Sequence, residues 1–391
     1  MASANKYQGE YQDVSVIARM LAAVYFLSNF NAGRCSRNRS RKLFGKSSFA
    51  FSLVLVFFVR HKMKIKIAQF GLGPIGIETL KLAATKPWAQ IVGGVDIDPN
   101  KIGKSLTEVT GIKGLEKSRV YSSFAELAKK TKPDVVLHTS VSRMKTAFPQ
   151  LEPIVKAGVS VVSSCEELLF PQLKEPALAK KLDALCRKHK ARVLGTGVNP
   201  GYVMDTLAVC LTGVCRNVES IEIERVVDAS LRRLPLQKKI GSSLPPDEFR
   251  KLFRENKMGH VGLVESLALV AHCLNWKIGK IKETCEPMIA PNNIKTEFLE
   301  VKKGLTCGIH HRAEAAAGKN KLVLDLKMYL DAKDPRDAVK VIGDPPINAV
   351  LHGGVHGDRA TVAALVNAVP NVLKANPGLL LMTDIAVPRV S

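Results

Sequence analysis

From position 63 onward, short apolar runs alternate with stretches whose apolar residues recur at helical spacing. "IKIAQF", "QIVGGVDI", "DVVLHTS", "VSVVSS" and "ARVLGTG" are predicted strands, and "PIGIETLKLAATK", "FAELAKKT", "FPQLEPIVKAG" and "PALAKKLDALCRKH" are predicted helices between them. That alternation predicts an α/β fold with a doubly wound parallel sheet of the Rossmann type. Beyond Asp205 the runs lengthen and become β-branched, as in "VESIEIERVVDAS" and "NKLVLDLKMYLDA", which predicts an antiparallel or mixed sheet in a second α/β domain. The boundary falls near 200 to 206. Later, Val362, Leu365, Val366, Val369, Val372 and Leu373 repeat at the period of a helix, with Pro370 expected to kink or end it.

The first 62 residues do not share this pattern. A basic, Ser-rich run, "RCSRNRSRKLFGK", precedes "FAFSLVLVFFV", an apolar stretch of 11 residues. That is short of the about 20 residues a membrane-spanning helix needs. Met63 then opens "MKIKIAQFGLG", so residues 1–62 are read as an extension outside the fold; a basic targeting or anchoring segment is the alternative.

Composition narrows the function. The chain has 391 residues, 46% of them hydrophobic and 24% charged, which fits a soluble globular protein of about two domains, with no membrane partner for the folded part. The net charge of +23 suggests nucleic acid, yet the basic residues occur throughout, without an aromatic-interleaved patch or recognition motif. A basic enzyme with no nucleic-acid partner is the better reading. Eight cysteines show neither CxxC pairs nor zinc spacing, so they are read as the reduced thiols of a cytoplasmic protein without a metal.

Between the first strand and first helix, "GLGPIG" places Gly71, Gly73 and Gly76 at GxGxxG spacing, with Pro74 and Ile75 inside the loop. The first glycine permits the turn, the second lets backbone approach a pyrophosphate, and the third allows close helix packing. Asp96 ends the second strand 20 residues after the last glycine, where a ribose hydroxyl is read. A carboxylate there favours NAD, because it repels a 2′-phosphate; Lys101 and Lys104 nearby keep NADP open. A purely structural glycine turn is the bland alternative.

Reaction chemistry in such sheets gathers at the C-terminal ends of later strands. Three segments qualify: "LHTSVSR" at 137–143, "SSCEEL" at 163–168 and "GTGVNPGYVMD" at 195–205. His138 and Thr139 fall beside the expected nicotinamide, while Asn199 and Tyr202 lie in a glycine-rich loop that suits a ligand, or a hinge. His260 precedes a helical run, where helix capping competes with a substrate contact. "RR" at 232–233 and "QKK" at 237–239 suit an acidic substrate or a solvated face.

These motifs, with "DIDPNKIGK", "RVVDASLRR", "GHVGLVES" and "DRATVAALVNAVPNVLKANPG", together resemble the 2,4-diaminopentanoate dehydrogenases, which group with the native amine dehydrogenases among dihydrodipicolinate-reductase-like proteins. The resemblance runs essentially from Met63 to Val390. It implies a homodimeric, nicotinamide-dependent oxidoreductase that interconverts a primary amine with a ketone and ammonia through an imine. It further implies a nucleotide domain over 63–205, a substrate and dimerisation domain over 206–350, and a segment 351–391 that braces the nucleotide domain, with Thr361 or Asn367 at one remove from the ligand. The chain departs from the reductases' His-His-Arg-x-Lys run: "HHRAEAAAGK" has Glu314 where the lysine would stand, so His310 and His311 are read as a chance echo on a hairpin.

An amine substrate arrives as an ammonium ion and must lose a proton before it releases hydride, so the site needs an anion and a base. The resemblance places a substrate-contacting glutamate in the "SSCEEL" loop. Glu166 is expected in that role, with Glu167 second, because adjacent residues leave a strand in opposite directions; capping of the following turn is the alternative. Two further functions stay open: reduction of a cyclic imine acid, and dinucleotide sensing without turnover.

Overall fold

The alternating runs become, in order, β1 (Ile65–Phe70), α1 (Pro74–Ala84), β2 (Ala89–Val95), α2 (Leu106–Thr110), β3 (Val120–Tyr121), α3 (Phe124–Lys130), β4 (Val135–His138), α4 (Met144–Lys156), β5 (Ser160–Ser163), α5 (Pro176–His189) and β6 (Arg192–Gly195). Then follow α6 (Thr206–Thr212), β7 (Asn217–Asp228), α7 (Leu234–Lys239), α8 (Pro246–Arg254), α9 (Leu263–Cys273), β8 (Lys282–Ile289), β9 (Ile294–Lys295), β10 (Glu300–Val301), β11 (Thr306–Ala317), β12 (Asn320–Tyr329), β13 (Arg336–Asp344), β14 (Ile347–His352), α10 (Gly357–Lys374) and β15 (Gly378–Leu380). The computed structural model describes residues 64–255 and 257–390, so the reading of residues 1–62 as an extension lies outside the described residues.

Among the described residues, one sheet has the order β15-β6-β5-β4-β1-β2-β3, with every pairing parallel. Its central strands β4 and β5 are buried at each residue, as strands covered by helices on both faces must be. The strand order reverses between β1 and β4, which opens a crevice beyond their C-terminal ends. The second sheet runs β14-β13-β7-β12-β11-β8 and is mixed, since β7 and β12 pair in parallel and the others antiparallel. His310 and His311 do lie on the β11–β12 hairpin, where their rings meet Asp325 and Glu283.

From Lys64 onward the chain is one compact unit. Two helices knit the sheets together. In α9 each residue from Leu263 to Ala271 is buried; Leu267 and Val270 pack with Leu322 and Leu324 of β12, while Leu269 reaches the core of the parallel sheet. In α10, Val362, Leu365, Val366, Val369 and Val372 are buried, four of them packed with Ile67, Val135 and Val162. The helix continues through Pro370 to Lys374 rather than ending there, because the packing of Val369 and Val372 on either side outweighs one lost backbone hydrogen bond. After it, β15 extends the parallel sheet beside β6, a strand that the helical pattern before it did not announce.

Candidate active site

The first glycine loop is shaped for an anion. Gly71 turns with φ +88° as the chain leaves β1. A Cβ on Gly76 would lie 1.9 Å from the Gly71 carbonyl oxygen and 2.8 Å from Thr139 Oγ1, so only glycine lets α1 start this close to the strand. A Cβ on Gly73 meets nothing within 4 Å and projects into open space over the loop. Gly73 is also the N-cap of α1 and gives no side-chain bond to the first turn, while Pro74 opens the helix without needing an N–H partner. Asp96 accepts from Leu72 N–H at 2.7 Å on one oxygen and from Asp98 N–H at 2.9 Å on the other. Each oxygen keeps a second acceptor position. The carboxylate thus fastens the glycine loop, with Lys101 Nζ 3.6 Å away.

At the end of β4 the expectation for His138 is corrected. The ring is buried against Phe70, with Nδ1 2.8 Å from Ser163 Oγ and Nε2 2.8 Å from Gln150 Oε1. Burial lowers its pKa to about 4, and the ring sits behind the cleft lining, where its Nε2 also meets the Ser140 hydroxyl at 3.0 Å. Its neighbours do face the crevice: Thr139 and Ser140 line a cleft of about 350 Å³, together with Ile75 of the glycine loop. Thr139 Oγ1 accepts from Gln69 Nε2 at 2.8 Å and donates to Gly71 O at 3.0 Å.

The adjacent glutamates do separate, but through a turn and not through strand alternation, since successive side chains of a 3-10 turn point about 120° apart. Both lie in a 3-10 turn, Glu166–Leu169, just after β5. Glu167 is buried away from the cleft, where it accepts from Met144 N–H at 2.8 Å and pairs with Arg143 at 3.4 Å. It therefore caps α4, which explains why that helix begins at Met144, four residues before the predicted start. Glu167 is corrected from a candidate base to a helix cap. Lys174 stands behind it, 4.0 Å from Glu167 and 2.8 Å from the buried Glu265. Glu166 lines the cleft with 19% of its side chain exposed and its Oε1 3.9 Å from Lys239 Nζ. Burial raises its pKa; the Lys239 ammonium opposes that shift and Glu167 adds to it.

The third segment forms the far wall. Val198 N–H donates to Thr361 Oγ1 at 3.3 Å, and Asp205 holds Gly201 N–H and the Ser266 hydroxyl at 2.8 and 2.7 Å, which ties the loop to α10 and α9. Asn199 lines the cleft with both side-chain polar atoms buried and without a partner among the described residues, as does Thr196 Oγ1. Tyr202 is corrected: it is 44% exposed and does not line the cleft. His260 does line it, and Gly262 rather than His260 is the N-cap of α9. Its Nε2 is buried and unpartnered among the described residues. Burial first, then the Lys239, His311 and Arg225 charges, hold the ring well below its ordinary pKa and therefore neutral.

Several cleft residues were not named individually. Ser142 and Thr196 lie in two of the segments singled out at strand ends and Asp358 opens the "DRATV" segment, and the fold brings all three to the cleft. Arg225 did leave a trace: it follows Ile221 and Ile223 on the core-facing positions of β7, and Asp337 answers it across the strands at 2.5 Å. Asn367, expected at one remove from the ligand, is not among the lining residues, whereas Thr361 is.

Residues 202–391 match the family model of the 2,4-diaminopentanoate dehydrogenase C-terminal domain. The chain is 31% identical over 334 residues to the 2,4-diaminopentanoate dehydrogenase of Acetoanaerobium sticklandii, covering 83% of this chain and 94% of that protein. It is 21% identical over 353 residues to an amine dehydrogenase of Streptomyces virginiae, covering 82% and 96% respectively. The fold is shared with the structure of an amine dehydrogenase from Mycobacterium smegmatis, with a TM-score of 0.76 at 20% identity over 85% of this chain and 98% of that one.

Proposed function

Because the chain belongs to the 2,4-diaminopentanoate dehydrogenase family, we propose that it oxidises a primary amine to a ketone and ammonia through an imine, and runs reductive amination in reverse. The observation that carries this reading is Glu166, a largely buried carboxylate with a raised pKa at the C-terminal end of a strand, facing the cleft that the glycine loop borders. A nicotinamide dinucleotide, when bound, takes up the hydride. The open space over Gly73 and the first turn of α1 fit its pyrophosphate, and the free acceptor positions of Asp96 fit a ribose diol. NAD is the preferred cofactor in this reading, since Asp96 already carries the local negative charge. Ile75, Thr139 and Asn199 line the path between that loop and Glu166.

Glu166 accepts the proton of the substrate ammonium at a carboxylate oxygen. Lys239, 3.9 Å from that carboxylate, repels a second cation and so favours the neutral amine. Once Glu166 has released that proton to solvent, hydride loss from the neutral amine leaves an iminium; the carboxylate takes a proton from the water that adds to its carbon and returns it to the nitrogen, so that ammonia leaves as the ketone forms. The neutral His260 and the amide of Asn199 offer hydrogen bonds that orient the amine without competing for its charge. The chain acts as a homodimer in this reading, for which light scattering is expected to give twice the chain mass; a monomer at micromolar concentration would contradict it.

The test is absorbance at the nicotinamide band, with either cofactor, against a panel of primary amines. Cofactor reduction with amines, and oxidation with ketone plus ammonium, is expected. Turnover of cyclic imines alone, or cofactor binding without any turnover, would replace this reading.

A further inference from the structure

Behind the Glu166–Glu167 pair stands a third carboxylate that the proposed reaction does not use. Glu265 lies in the first turn of α9 with 1% of its side chain exposed. Its Oε1 meets Lys174 Nζ at 2.8 Å, and its Oε2 has no partner among the described residues. A carboxylate taken this far out of water keeps its charge only beside a close cation. Burial raises the Glu265 pKa; the Lys174 ammonium opposes that shift and Glu167 adds to it. Lys174 also approaches Glu167 Oε1 at 4.0 Å, so it spans the seam between α9 and the 3-10 turn Glu166–Leu169. Leu168 and Leu169 anchor that turn in the cores of the parallel sheet, whereas most of α9 packs with the mixed sheet. The seam is tight beside Glu166: a Cβ on Gly262, the N-cap of α9, would lie 3.3 Å from Glu166 Cβ and 2.6 Å from Pro200 Cδ. Gly262 and Glu265, three residues apart, lie on one side of the helix.

We propose that Lys174 is a positioning residue for the reaction: by pairing with Glu265 it locks the start of α9 against the turn that carries Glu166, and so fixes where that carboxylate meets the substrate nitrogen. The proposal rests on the reading of Glu166 as the base. A first-turn carboxylate also suits the positive end of a helix, but that interaction requires neither burial nor a lysine from the parallel-sheet side. Without Lys174, Glu265 takes up a proton or turns toward water, and in either case the tie across the seam is lost. Glu166 and Pro200 can then part from Gly262. Arg143 and the Met144 N–H still hold Glu167, so the turn keeps its place in the fold while the angle at which it presents Glu166 changes. Proton transfer is steep in distance and angle, so the loss falls on turnover and not on binding.

The test measures kcat, amine KM and dinucleotide affinity in Lys174→Met, Lys174→Arg, Glu265→Met and the double variant Lys174→Met/Glu265→Met, each below its melting transition. In Lys174→Met, kcat is expected to fall about 10- to 100-fold, the cost of misplacing a reacting group by about 1 Å, with amine KM and dinucleotide affinity within about twofold of wild type. Lys174→Arg should restore most of the rate. Glu265→Met should lose as much as Lys174→Met, and the double variant no more than the larger single loss, because the two side chains act as one link. Lys145→Met, which breaks the exposed Lys145–Glu175 pair next in the chain to Lys174, should leave kcat unchanged. Wild-type kcat in Lys174→Met, additive losses in the double variant, or an equal loss in Lys145→Met overturns the link. If Lys174→Met does not fold, Glu265→Met decides: a wild-type kcat there overturns it. If no amine is turned over, or Glu166→Gln turns over normally, the reading of Glu166 as base fails by itself, and amide hydrogen exchange over residues 166–169 decides the link. Exchange at least about tenfold faster in Lys174→Met, and restored in Lys174→Arg, supports it; unchanged exchange overturns it.

Discussion

The two walls of the cleft are built on different physical principles. The wall from the parallel sheet offers backbone and neutral hydroxyls: the Gly71–Gly76 turn, Thr139, Ser140 and Thr196. The wall from the mixed sheet and α7 offers charge, in Arg225, Arg232, Arg233 and Lys239. Glu166 comes from the first wall but meets the second at Lys239. A dinucleotide is common to many reactions and is held by shape and by peptide N–H groups, whereas a particular substrate is told apart by where its charges lie. The contrast implies that changes on the first wall alter cofactor use for all substrates, and changes on the second alter the choice among them.

The largest break in that contrast is expected at the meeting point. Glu166→Gln keeps shape but removes charge and base, and turnover should fall by about 10² to 10⁴ while dinucleotide affinity stays. Because burial raises the Glu166 pKa and only its ionised form accepts a proton, the oxidation rate of the wild type should climb with pH through that raised value; the acid limb should vanish in the variant. Glu167→Gln, by contrast, should cost about 1 kcal/mol of stability through its cap on α4 and leave turnover within a few fold. A large loss of turnover from Glu167→Gln with little from Glu166→Gln would exchange the two roles.

A break confined to the backbone wall should come from Gly76→Ala. Its Cβ would have to displace the Gly71 carbonyl, so dinucleotide affinity, read by fluorescence titration, should fall about 10- to 100-fold, with equal effect for every amine. Unequal effects among amines would erase the division of labour between the walls. The smallest change sharpens the contrast within the cofactor site. Asp96→Ser should move the NAD/NADP preference roughly tenfold toward NADP, measured as a ratio of kcat/KM values, since a negative charge is lost. The same ratio before and after would remove Asp96 from cofactor choice.

The backbone wall was largely legible in the sequence, since its glycines, Asp96 and Thr139 lie next to strands that read clearly as apolar runs. Glu166 was legible for the same reason, although its separation from Glu167 comes from a 3-10 turn and not from the strand alternation on which the expectation rested. His138 misled because a strand end was equated with exposure, although its ring turned sideways toward Ser163 and Gln150. Tyr202 misled because the loop that carries it turns inward at Asn199 and outward again at position 202. The charged wall was legible only as basic runs at 232–233 and 237–239. Asp358, which fixes those arginines, lies some 125 residues further along and gave no local sign of meeting them.

The strand β15 has a bearing on how the chain is made. It pairs with β6 through Gly378, Leu379 and Leu380, and α10 fills the core beneath β1, β4 and β5 just before it. During synthesis β1 to β6 leave the ribosome first, yet the strand that covers their edge and the helix that covers their underside emerge only after the whole mixed sheet. The nascent nucleotide half therefore carries an open edge and an uncovered apolar face throughout translation of the mixed sheet. Its completion waits for residues 357–380, and a chaperone that shields β6 in that interval would act on the half of the protein that looks, from its sequence, most able to fold alone.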